Sequence, residues 1–207
     1  MSKFIWTTSL LKEGDGLFRS DGGDGRNNAI LNYGEQDRFA IYALGYQDAA
    51  ELLTLAYMEN DRPKDRLVYP IVFLYRQNIE LKLKEFIYGL NYCHHRKFDF
   101  PKHHELLDLW TEFLRLFSLQ EPRTVNKRSF LDAKKIISEF SKYDPMSMNF
   151  RYPLDKKGNI SRKPRLLNVR NFAYIMIKLN RFLNALSEKI DKYKIRASLK
   201  YEDDLYA

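Results

Sequence analysis

The chain has 207 residues, 44% of them hydrophobic and 14% aromatic, with a net charge of +8; that suits one domain around a single core. The lone Cys93 excludes an internal disulfide and fits a reducing compartment. No stretch approaches the roughly 18 apolar residues of a membrane span, and the seven prolines and nine glycines are too few for a sandwich of many short strands.

The opening MSKFIWTTSLLKEGDG is too short and too broken by charge for a secretory leader, so a cytoplasmic protein is expected. Residues 1–34 read as an irregular segment. Within it SDGGDGRNN (20–28) is turn chemistry. It lacks the Lys-Ser/Thr ending of a phosphate-binding P-loop and the terminal Glu of an EF-hand.

A first helix is expected over about 36–59, where Phe39, Tyr42, Ala43, Tyr46, Ala50 and Leu53 recur at threes and fours. NDRPKD (60–65) closes it, since Pro63 cannot continue a helix. The second helix opens near Tyr69, with Pro70 acceptable in its first turn, and ends at Gly89 and Asn91. Its stripe of Val72, Tyr75, Ile79, Leu83, Phe86 and Leu90 marks it as the central helix. Arg76 and Glu80 lie four apart on one face and can pair or share a ligand; on a solvated face the pair is ordinary helix support.

All four histidines and the only cysteine follow in 93–104. Imidazole suits both proton transfer near neutral pH and metal ligation. Adjacent His-His pairs point apart, however, and neither helical H-x3-H nor C-x2-C spacing occurs, so no metal and no cofactor is expected. Basic neighbours should lower the Cys93 thiol, but no nucleophile signature surrounds it. His104, at the start of the third helix (about 102–117), is the candidate general acid or base. The helix N-terminus disfavours its charged form, so a carboxylate such as Glu80 or Glu105 would be needed. Arg96 and His103 have a spacing that could serve phosphate binding and proton transfer. In the plainer alternative, His103 and His104 cap the helix or pack beside Trp110.

A fourth helix spans about 129–142, with Ser129 and Asp132 resembling a capping arrangement. A long loop follows, in which 149–159 can form a short hairpin turning at LysLysGly. Arg151 there could grip a phosphate and Tyr152 could stack on a base; alternatively Arg151 pairs with Asp155. The last helix is expected over about 168–194, followed by a polar tail (196–207). Between Lys156 and Lys200 the only acids are Glu188 and Asp191. Such a surface attracts a polyanion, although charge runs are often plain solvated faces. The pattern is all-α, a bundle of about five helices in one domain over 35–195.

Three segments, LVYPIVFLYRQNIELKLKEFI, HHELLDLW and FRYPLDKKGN, resemble a group of poorly characterised bacterial proteins of HEPN-like type. The resemblance covers roughly residues 36–190. It implies an antiparallel helical bundle, frequently a homodimer, that binds RNA or nucleotide. Many such proteins are metal-independent endoribonucleases in phage defence or toxin–antitoxin systems. Their motif is Arg-x4–6-His on a late helix: arginine holds the scissile phosphate and histidine assists proton transfer. Here the late helix carries Arg170-Asn171, but Ile175 stands where histidine is expected. The group's recurring residues place the site instead at Arg76, Glu80, His104 and Arg151. In that reading Arg76 and Arg151 bind phosphate, His104 is acid or base and Glu80 orients one of them, with Arg96, His103, Tyr152 and Arg170 as further nucleic-acid contacts. The alternative from a different class is a non-catalytic dimeric module that binds a protein partner.

Overall fold

Five α-helices form among the described residues: α1 Arg38–Met58, α2 Val68–Cys93, α3 Leu106–Gln120, α4 Arg128–Tyr143 and α5 Val169–Tyr206. The structure, a computed structural model, describes residues 38–59, 65–94, 100–161 and 163–206, with the isolated positions Leu10, Glu13, Leu17, Ala29 and Leu31. The fold is all-α, and no helix is long and apolar enough to cross a membrane.

The central α2 is buried along most of its length, and α1, α3 and α5 all pack on it. Its apolar stripe is covered as expected: Tyr75, Ile79, Leu83, Phe86 and Leu90 are all at most 1% exposed. Phe86, Trp110, Phe113, Phe117, Phe130 and Phe182 form a run of ring contacts joining α2, α3, α4 and α5. Such rings bury large apolar areas in tilted and edge-to-face pairs. Gly89 is required by this packing, because a Cβ there would lie 2.8 Å from Ile190 Cγ2.

Pairings give the helix directions. Phe130 meets Phe182 and Phe140 meets Phe172, so α4 and α5 run antiparallel. His104 meets Glu80 and Phe113 meets Phe86, so α3 enters level with the middle of α2 and shares its direction.

Several helix ends differ from expectation, and α2 runs on past Gly89 and Asn91 to Cys93. α3 starts at Leu106, not near Lys102. The His104 carbonyl is taken by Arg76 Nη2 at 2.8 Å, and the first helical bond is Leu109 N to Glu105 O. α4 has Lys127 as its N-cap with no side-chain capping bond, and Asp132 pairs with Arg128 in place of a capping arrangement with Ser129. α5 continues to Tyr206, through the expected polar tail; nothing after Pro164 is a glycine or proline that would stop it. In the loop expected to turn at LysLysGly, a turn over 155–159 is closed by one antiparallel bridge between Leu154 and Ile160, without strands among the described residues, and Gly158 takes φ +81° in it.

Candidate proton-transfer site

On α2, Arg76, Glu80 and Lys84 follow one another at four-residue intervals, so all three face one side of the helix. That side is buried: Arg76 is 0% and Glu80 1% exposed. Arg76 Nη1 donates to Glu80 Oε2 at 3.0 Å and Lys84 Nζ to Oε1 at 2.9 Å. The segment before α3 then brings His104 Nδ1 to 2.7 Å from the same Oε1. Burial pushes the Glu80 carboxyl up, but hydrogen bonds from His104 and Lys84, with the Lys84 charge, outweigh it and hold the carboxyl below its ordinary value.

Glu80 is therefore an ionised anchor for His104. With Nδ1–H donated to a carboxylate, a neutral imidazole carries its lone pair at Nε2. The His104 side chain is 54% exposed, so that nitrogen can meet a solvent-borne reactant. A buried carboxylate fixing one nitrogen while the other faces outward is the arrangement a general acid or base requires.

Arg76 has a different position. Nε donates to the Asp144 carbonyl at 3.0 Å, and Nη2 donates to the carbonyls of His104 at 2.8 Å and Pro145 at 3.2 Å. Asp144 Oδ2 lies 3.6 Å from Nε. One guanidinium thus ties α2 to the entry of α3 and the exit of α4, and it presents no surface to a phosphate. Asp144 also organises the next turn, accepting from Met148 N at 2.6 Å and Asn149 N at 2.8 Å through Oδ1. Ser147 in this turn takes φ 57°, a left-handed conformation that costs a side-chain-bearing residue about 1–2 kcal/mol.

Arg151 is exposed and stands beside this cluster without sharing a bond with Glu80 among the described residues. It donates to the Ser147 carbonyl, and its guanidinium lies over Phe73 at 5.4 Å and Tyr152 at 5.6 Å. The alternative pairing with Asp155 does not form. Asp155 accepts instead from Lys157 N, Asn159 N and Asn159 Nδ2, which holds its carboxyl below the ordinary value through the Asn159 bonds first. Tyr152 is 49% exposed under Arg151. Arg170 is exposed at the start of α5, on a different element from His104. His103 turns away from His104, its Nδ1 meeting Glu105 Oε2 at 3.1 Å. Arg96 and His95 lie outside the described residues.

Among the described residues, His103, Glu105 and Asp108 have ligand atoms within 4.8 Å of one another, so these three could hold a cation. Cys93 departs from expectation: burial raises its thiol, and the Lys194 charge only partly offsets this. In the basic run, Lys189 pairs with Glu121 and Lys194 with Asp191, while Arg181, Lys192 and Arg196 remain exposed.

Sequence reasoning missed Lys84 and Asp144. Lys84 was legible as the third member of a four-residue ladder. Asp144 carried no comparable signal, since its partners lie on α2 and in its own turn. No family model, curated protein or solved structure matches the chain.

Proposed function

We propose that this is an RNA- or nucleotide-binding protein of HEPN-like type, with His104 as the proton-transfer group of a metal-independent endoribonuclease acting in phage defence or a toxin–antitoxin system. The observation that carries this reading is the 2.7 Å contact between the half-exposed His104 and the buried, ionised Glu80. In this scheme Nε2 of His104 takes the proton from a ribose 2′-hydroxyl as that oxygen attacks the adjacent phosphorus, the P–O5′ bond breaks and the leaving 5′-oxygen takes a proton from water. Arg151, exposed beside Tyr152, supplies the cation for the phosphate, and Tyr152 offers a stacking face. Arg76 acts as a positioning residue, since it holds the His104 carbonyl and Glu80 together.

The test is cleavage of a labelled cellular RNA pool by the purified chain in EDTA, with His104→Ala and Arg151→Ala alongside. Cleavage by the parent, lost in His104→Ala and weakened in Arg151→Ala, is the expected result. No cleavage, or cleavage untouched by His104→Ala, removes the catalytic reading.

A second reading has its own support: a non-catalytic dimeric module that binds a protein partner. All three guanidinium nitrogens of Arg76 are engaged within the fold, and Ile175 stands where the family motif has histidine. Under that reading the cluster is purely a clamp. A stable dimer in light scattering, with no affinity for RNA, would favour it.

A further inference from the structure

A second concavity lies between α4, the first turns of α5 and the loop before α5. Its volume is about 480 Å³, within the roughly 300–1,000 Å³ of small-molecule sites. Neither Glu80 nor His104 forms any of its wall. The floor is apolar, made by Val72, Phe140, Phe150, Phe172 and Met176, with Ile175 at the side. Phe140 and Phe172 meet at 67° with centroids 6.0 Å apart, so they present a corner of two ring surfaces. A flat ring can lie face-on to one and edge-on to the other.

The rim is polar: Lys135 and Asn171 line it together with one acid, Glu139. Exposed Arg165 is not itself part of the lining but lies in the chain between two lining residues, Pro164 and Leu166. Asn168 Oδ1 accepts from Asn171 N at 3.0 Å, which fixes the cap and leaves the Asn171 side-chain amide, a paired donor and acceptor, at the mouth. The N-terminal end of α5 adds positive potential on the same side. Leu166, which lines the mouth, is 87% exposed, so apolar surface there is left for a ligand to cover.

We propose that this cavity binds a planar aromatic ring carrying an anionic group, with the ring against Phe140 and Phe172 and the anion toward Lys135 and Arg165. A nucleoside monophosphate and an aromatic carboxylate share that chemistry. The site stands independently of proton transfer at His104.

The experiment is isothermal titration of the full chain with GMP, AMP and indole-3-acetate in turn, with inorganic phosphate and uncharged indole as controls. At least one ring-bearing anion binds saturably at millimolar concentration or below, and both controls bind at least about tenfold more weakly. Nucleotide binding without indole-3-acetate binding assigns the first source; the converse assigns the second. Ile175→Trp fills the cavity and removes binding. Reversal of the exposed rim by Lys135→Glu with Arg165→Glu, which leaves the core untouched, weakens it by about tenfold or more. Absence of binding by all three anions overturns the proposal. So does binding that survives the charge reversal, or that survives Ile175→Trp in a variant with the parental melting temperature.

Discussion

Glu80 and Glu121 each accept hydrogen bonds from three side chains, Glu80 from Arg76, Lys84 and His104, and Glu121 from Lys189, Tyr193 and Thr124. Both join helices: Glu80 links α2 to the entry of α3, and Glu121 links the end of α3 to α5. Their surroundings differ. The Glu80 side chain is 1% exposed and that of Glu121 31%. Water can replace any partner that Glu121 loses. It cannot reach Glu80 without opening the bundle, so a lost partner there leaves a buried charge uncompensated. The same geometry is therefore a keystone in one place and a modest staple in the other. Only the buried carboxylate can fix the orientation of a histidine against thermal motion and competing water.

Removing the anchor is the strongest way to break the comparison. Glu80→Ala leaves Arg76 and Lys84 buried without their carboxylate and is expected to cost about 3–5 kcal/mol, read by urea denaturation; a loss below about 1 kcal/mol would mean that the cluster is hydrated. His104→Ala is milder. Glu80 keeps both cations and the lost ring is half exposed, so about 1–2 kcal/mol is expected. This gap makes His104→Ala the right variant for the cleavage assay, since it is expected to disturb the fold far less than Glu80→Ala. Glu121→Gln should cost less than about 1 kcal/mol, and added salt should shrink the difference from the parent.

Acid sharpens the contrast further. Both carboxyls are held below their ordinary values, Glu121 at about 2 by Lys189, Tyr193 and Thr124. A depressed carboxyl contributes its full stability above the unfolded value and loses it as pH falls through the folded one. For Glu121 that window runs from 4.5 down to about 2. Stability measured across it should fall less steeply in Glu121→Gln than in the parent. An identical slope would show that the staple is absent in solution.

Much of the fold was legible because helices are local. The apolar stripe of α2 recurs at the helical period, and its side chains are those found buried. On α5 the expected Leu179, Leu186 and Ile190 are buried, but Phe172, Ile175, Phe182 and Tyr193 are only half-buried, and Met176 and Leu183 take the core positions. Ends were less legible. An earlier start was expected for α3, near residue 102, but the entry is set by Arg76 claiming the His104 carbonyl. The C-terminal charges suggested a tail, but no breaker residue interrupts α5. Arg76 and Glu80 could be paired from their spacing alone, yet spacing does not distinguish a solvated pair from a buried one.

The sequence by itself determined five helical segments, an Arg-Glu-Lys ladder on the central one and a histidine pair ahead of the third. Periodicity and i,i+4 spacing are properties of neighbouring residues, and neighbours are all that local propensity sees. Tertiary structure alone decided that the ladder is buried, that His104 of the two adjacent histidines meets it, and that the Arg76 donors go to carbonyls of residues 28, 68 and 69 positions away. Those outcomes depend on which helix covers which face. Packing of the aromatic core settles that, since it holds the segments before α3 and after α4 against the middle of α2.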